Sequence, residues 1–317
     1  MSARSVRAPA DRFPEPFVHE ALLYHDQASY LDGTMNFIYD GVSLDEPVAV
    51  AAPPANVTLL RERLGAFADV VTFHDMTEAG RNPGRIIPWV LSRFMDEHPG
   101  RRVRIIGEPI WQGRSEDEYP ACVQHEAMIN VAFMGRDAAI LCLYDTNRLE
   151  PHVIKDSYAT HPTMADAGGR YTSDSYDPYG ITDAYNVPLS EPPFGASTLR
   201  FEVGELVKVR RAVAEIGLEA NLPPDRISDL QAAVNELATN SIMHAGGSGT
   251  LRTWCDDVRV VCEVREFGQH TDVMAGRLRP ADGSGDGRGL VMVHFLVDLV
   301  QRHTSQTGTT TRVHVLR

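Results

Sequence analysis

Glu236, Asn240 and His244 recur at intervals of four within LQAAVNELATNSIMHAGG, residues 230–247. On a helix that spacing lines them up as one stripe. A carboxylate and a carboxamide one turn apart can hold a hard cation and a polarised water between them. Further on, Gly283, Gly285, Gly287 and Gly289 stand within ADGSGDGRGL. Glycines there allow close backbone approach, and free N–H groups at a helix start attract phosphate. Polar residues at helical spacing are more often a plain solvated face. The surrounding elements therefore have to carry the argument.

Pro223, Pro224 and Asp225 suit a helix start, Ile227, Leu230, Val234 and Leu237 give it an apolar stripe, and Gly246-Gly247 stop it. Leu199–Val203 alternates as a strand, and Leu206, Val209, Val213 and Ile216 share the face of a following helix. Thr250–Cys255 and Val258–Val264 read as a strand pair turning at Asp256-Asp257. Glu266-Phe267-Gly268 follows, then the glycines, then Leu290–Val300 as the start of a buried helix. Gly308–Val315 alternates like an edge or terminal strand.

The first half has a different rhythm. Strands are expected at Val48–Ala52, Val70–Phe73, Val103–Ile106 and Ala138–Tyr144, and helices around Tyr30–Ile38 (ending at Gly41), Val57–Phe67, Ile86–Phe94 and Ala121–Phe133. Continuous apolar strands alternating with helices predict an α/β domain with a parallel sheet covered on both faces. Ligands of such sheets bind beyond the carboxyl ends of the strands. That edge carries Pro53-Pro54, His74-Asp75, Gly107-Glu108-Pro109 and Asp145. The strand ending near Ala52 runs into APPANVTLL, without the glycines and lysine of a P-loop, so the domain is expected to be RecA-like without P-loop chemistry.

With 317 residues the chain has room for two cores. A formal net charge of −13 argues against direct nucleic-acid or anionic-membrane binding. Cys122, Cys142, Cys255 and Cys262 lie in apolar runs without a C-x-x-C pair, so buried reduced thiols are expected and a zinc site is not. No apolar run reaches the ~18 residues of a membrane span, and residues 1–16 lack the apolar segment of a signal peptide. A cytoplasmic protein is expected. The expected division is a flexible tail at 1–16, a first domain at 17–165, a linker at 166–196 and a second domain at 197–317. His19-Glu20 and His125-Glu126 look like kinase phospho-acceptors, but residues 165–195, rich in Gly, Pro, Asp and Ser, cannot form the helical hairpin such a histidine needs. Tyr171, Tyr176, Tyr179 and Tyr185 suggest that the linker packs across one or both domains, with plain disorder the alternative that its composition also allows.

The order of motifs in residues 197–317 resembles the GHKL (Bergerat-fold) ATPases, specifically the anti-sigma-factor serine kinase type. Glu236-Leu237-Ala238-Thr239-Asn240 is similar to that family's N box, Gly287-Arg288-Gly289-Leu290 to its phosphate-covering lid, and Gly308-Thr309-Thr310 to its closing strand. The resemblance implies an α+β Bergerat-fold domain binding ATP and Mg²⁺. In it Glu236 would be the catalytic base and Asn240 the Mg²⁺ ligand. His244, Glu266, Gly268, Gly285, Gly287, Arg288, Gly289, Thr309 and Thr310 would complete the nucleotide site. The family's Asp-x-Gly-x-Gly adenine motif reads Glu266-Phe267-Gly268-Gln269-His270 here, with a longer carboxylate and a histidine for the second glycine.

Residues 17–165 resemble the MEDS sensory domain in HEALLY (19–24), EPVAVAAPPA, DMTEAGRNPGRIIP and IGEPIW (106–111). The combined resemblance implies a signalling regulator, an anti-sigma factor or serine/threonine protein kinase. Its partners would be a sigma factor or an antagonist protein, with a small-molecule ligand on the first domain and room for a homodimer. The alternative is a non-catalytic interaction module with a degenerate nucleotide site.

Overall fold

The computed structural model describes residues 17–269, 272–279 and 288–317. The expected tail, His270, Gly285 and Gly287 lie outside them. The first domain is ordered as β1 (Phe17–Tyr24), α1 (Gln27–Ser43), β2 (Val48–Ala52), α2 (Pro54–Leu64), β3 (Val71–Asp75), α3 (Met76–Ala79), α4 (Ser92–Asp96), β4 (Val103–Gly107), α5 (Tyr119–Ala132), β5 (Ala138–Asp145), α6 (Pro151–Thr160), β6 (Thr163–Asp166), β7 (Gly169–Thr172) and α7 (Pro178–Ala184). Its sheet runs β3-β2-β4-β5-β1-β6-β7, parallel except for the β6–β7 hairpin. Buried apolar side chains form a separate cluster on each sheet face, as an α/β sandwich requires.

Several expectations shift. Phe17–Tyr24, quoted above only as a motif, is a central strand between β5 and β6. Helix α1 starts under an Asp26–Ser29 capping box and runs through Gly41 to Ser43. The helix expected from Ile86 is a single π-helical stretch, Ile86–Leu91, followed by α4. Residues 166–196 are not a bare tether: β7 extends the sheet, and α7 buries Ile181 in the first core.

The second domain comprises β8 (Ser197–Glu202), α8 (Leu206–Glu219), α9 (Pro224–His244), β9 (Ser248–Cys255), β10 (Arg259–Glu266), α10 (Arg288–Leu296), β11 (Leu299–Ser305) and β12 (Gly308–Leu316). Its sheet is antiparallel, in the order β11-β12-β10-β9-β8. Val260, Cys262, Val264, Val313 and Val315 pack from one face against α8 and α9. One correction stands out: the Leu290–Val300 run is a helix only to Leu296 and then leads into β11. β12 is the chain's last strand, as one of the two alternatives had it, but lies inside the sheet with β11 at the edge. Cys255 is exposed, whereas the other three cysteines are buried.

Residues 186–192 lie across the back of this second sheet. Arg312 reaches the Ser190 carbonyl at 2.6 Å while pairing with Glu263 at 2.7 Å, and Asn186 bonds Thr304 in both directions. The linker thus touches both domains. Among the described residues, no helix is long and apolar enough to cross a membrane.

Candidate functional site

Helix α9 presents Glu236 and Asn240 toward the start of α10 and the ends of β10 and β12. A Cβ added to Gly289 would lie 2.6 Å from Glu236 Oε2, so a side chain there would displace the carboxylate. Asn240 lines one small cavity with Leu237, Val264, Glu266, Leu290, Arg302 and Thr311. Glu266 lies opposite Thr309 in the β10–β12 register, and Thr309 Oγ1 donates to the Gly268 carbonyl at 2.8 Å. Glu236, Asn240, Glu266, Gly268, Gly289 and Thr309 are therefore neighbours. Arg288, exposed, begins α10, and His244 is exposed at the last turn of α9.

Thr310 does not join them. On β12 the side chains alternate, and Thr310 lines a cleft on the back of the sheet with residues 188–192. Thr311, one residue on, takes the place beside Asn240. Arg302 is the site residue that sequence reasoning missed. It faces Thr311 across the β11–β12 register and stands beside Glu266. Burial lowers its pKa, with the charges of Asp272 and Glu266 opposing that loss.

The Asn240 carboxamide oxygen, a hard donor, suits Mg²⁺. The space does not. The cavity holds about 20 Å³, room for roughly one water. Taken alone, this cavity among the described residues is too small for a nucleotide.

The element that closes the cleft is held from outside its own domain. Asn82, fully buried, donates from its Nδ2 to the carbonyls of His294 (2.9 Å) and Val297 (3.3 Å), capping the end of α10. A Cβ on Gly84 would lie 1.9 Å from His294 Nδ1. The rings of Trp89 and Phe295 are 4.9 Å apart, and Arg81 pairs with Asp298 at 3.3 Å. All four first-domain residues lie in or beside the RNPGRIIP run. The strand-to-helix segment 272–279 is docked as well: Arg277 donates to Gln124 and Arg279 to Asp96.

The first domain carries a second site. Beyond the carboxyl ends of β1, β2, β4 and β5 opens a cavity of about 580 Å³ lined by Tyr24, Tyr30, Asn56, Glu108, Trp111 and Asp145, among others. Pro53, Glu108 and Asp145 of the expected edge line it; His74 and Asp75, on the outer strand β3, do not. Glu108 accepts from Asn56 Nδ2 at 2.7 Å and from the Tyr24 hydroxyl at 3.4 Å. Burial pushes its carboxyl up to about 7 against those two bonds.

Two family models match separate stretches of the chain. Residues 18–162 match the model of MEDS, the methanogen/methylotroph DcmR sensory domain. Residues 199–315 match that of the histidine kinase-like ATPase domain. The chain thus joins a MEDS sensory domain to a histidine kinase-like ATPase domain of the GHKL fold. Among solved structures, similarity extends to the RsbU and RsbW domains of Rv1364c from Mycobacterium tuberculosis, at 18% identity and TM-score 0.29, covering 38% of this chain and 32% of that one. The chain thus spans about a third of that structure's length. The histidine kinase AdeS of Acinetobacter baumannii gives 10% identity and TM-score 0.24, covering 38% of this chain and 67% of that one. Among curated proteins, none matches the chain.

Proposed function

We propose that the chain is a signalling regulator in which the first domain controls entry of Mg²⁺·ATP into the second. The observation that carries this is the Asn82 cap: the helix that closes the nucleotide cleft ends in hydrogen bonds supplied by the sensory domain. A ligand in the cavity beside Glu108 would act by reshaping the first domain, whose segment 81–89 grips α10. When α10 moves off Glu236, Asn240 would hold Mg²⁺ and Glu236 would stand free to accept a proton. Glu266, Gly268 and Thr309 would line the base end of the cleft. The finer reading is an anti-sigma-factor type of serine/threonine kinase, acting on an antagonist protein or holding a sigma factor, in the cytoplasm.

A second reading has its own support. The Arg302 side chain beside Glu266 and the small size of the cavity next to Asn240, about 20 Å³, favour a docking module that no longer turns over nucleotide. Calorimetric titration of the full chain with Mg²⁺·ATP, alongside Asn240→Ala, separates the two. Binding that Asn240→Ala abolishes supports the gated ATPase. Binding unaffected by that change counts against the site, and no binding under any condition leaves the docking module.

A further inference from the structure

Four side chains from four separate stretches meet inside the first domain. His19 comes from β1, Glu126 from α5, Cys142 from β5 and His161 from the turn after α6. The register places Ala21 opposite Cys142 and His19 opposite Ile140, so His19 and Cys142 share a sheet face. One ligand atom from each of the four lies within 4.8 Å of all the others. None of the residues is more than 1% exposed.

Three of the spacings lie close to those of ligands around a common centre. His161 Nε2 is 3.0 Å from Glu126 Oε2, His19 Nε2 is 3.4 Å from Cys142 Sγ, and His19 Nε2 is 3.8 Å from Glu126 Oε2. A tetrahedral ion with bonds of about 2.0–2.3 Å separates its ligands by about 3.3–3.8 Å. Hydrogen bonding inside the group is incomplete. His161 Nε2 and Glu126 Oε1 are buried with no hydrogen-bond partner, a costly arrangement in a protein interior. His161 Nδ1, by contrast, lies 3.0 Å from the Ser157 carbonyl and 2.9 Å from Thr160 Oγ1. A carbonyl only accepts, so Nδ1 carries the proton. In the neutral ring Nε2 then keeps its lone pair, turned toward the carboxylate. Nε2 and the carboxylate, 3.0 Å apart, therefore need either a second ring proton or a metal cation between them.

We propose that His19, Glu126, Cys142 and His161 form a buried site for a borderline divalent transition-metal ion of the zinc class. Two imidazoles, a thiolate and a carboxylate are its donor types, and they suit neither Mg²⁺ nor Ca²⁺. A 2+ ion with one thiolate and one carboxylate sums to zero charge, which suits an interior without solvent. The sites come from positions 19, 126, 142 and 161, which match no ligand-spacing rule; this is why the cysteine pattern argued against zinc. The proposal is independent of the nucleotide cleft.

The pocket is sealed, so the ion enters as the chain folds. The test uses the full chain in two preparations: purified from zinc-replete medium for elemental analysis, and refolded from denaturant with Co²⁺. The expected results are about one zinc per chain after gel filtration and a thiolate-to-cobalt charge-transfer band in the near ultraviolet. Cys142→Ser should remove the band and lower metal content by roughly tenfold or more. If that variant does not fold, the wild-type Co²⁺ spectrum alone decides. A folded wild-type chain lacking metal in both preparations would overturn the proposal and leave an imidazolium–carboxylate pair in the core. So would metal content and a band that survive intact in Cys142→Ser.

Discussion

Asn82→Ala tests the coupling between the domains most directly. The change removes two hydrogen bonds and strands the carbonyls of His294 and Val297 at a buried interface. Leaving a buried acceptor unsatisfied costs about 1–3 kcal/mol, part of which incoming water recovers. Taking ~2 kcal/mol as the net loss for the pair, the closed arrangement weakens by about thirtyfold relative to one with α10 released. Global stability should fall, read as a lower thermal midpoint. Apparent affinity for Mg²⁺·ATP should rise by up to the same thirtyfold, because a larger fraction of molecules is competent to bind. Gly84→Ala should act in the same direction by a different route, since its new Cβ would collide with the His294 ring at 1.9 Å. Fluorescent-nucleotide titration and thermal unfolding, run on the same samples, give both numbers. Lower stability with unchanged or weaker nucleotide binding in both variants would refute the idea that the first domain restrains α10.

Three further outcomes are expected. Arg302→Ala should enlarge the cavity of about 20 Å³ and tighten nucleotide binding, on the order of tenfold if the guanidinium obstructs the base; unchanged affinity would clear Arg302 of that role. Glu236→Gln should leave Mg²⁺·ATP affinity within about threefold while abolishing any phosphate release or serine phosphorylation, typically 10²–10⁴-fold for loss of a general base; undiminished turnover would rule Glu236 out. For Glu108, an ordinary carboxyl value of 4.5 rises to about 7 in the fold. Below pH 4.5 both folded and unfolded states hold the proton and nothing is lost. Between there and pH 7 the folded state binds more protons, so its stability falls as pH rises, by ~3 kcal/mol in all. Glu108→Gln should flatten that part of a urea-midpoint profile, and a parallel profile in the variant would show the slope arises elsewhere.

Local periodicity made most elements legible in the sequence. The apolar run Val48–Ala52 could only be a buried strand, and the stripe Ile227, Leu230, Val234 and Leu237 could only be one face of a helix. The boundaries that slipped are those decided by distant contacts. Leu290–Val300 is apolar but for His294 and Asp298, and its hydrophobicity alone does not place the break at Val297, where Asn82 takes the last carbonyls. Thr310 and Thr311 look alike in sequence, and only the β10–β12 register decides which faces Asn240. Arg302 gave no local signal at all, because its partner Glu266 is remote in sequence. The sealed cluster of His19, Glu126, Cys142 and His161 was hidden for the same reason: crossover connections, which bring remote strands side by side, assemble it.

The apolar interior of the first domain has a further property. Val273 and Met274 belong to the second domain's chain segment, yet they pack against the first domain's cluster. The second domain therefore finishes part of the first one's surface. Cutting the chain between them would bare an oily scar on the sensory half. Grafting that half onto an unrelated effector would succeed only if the new neighbour brought its own pair of plugs, so the two halves are expected to travel through evolution as a matched set.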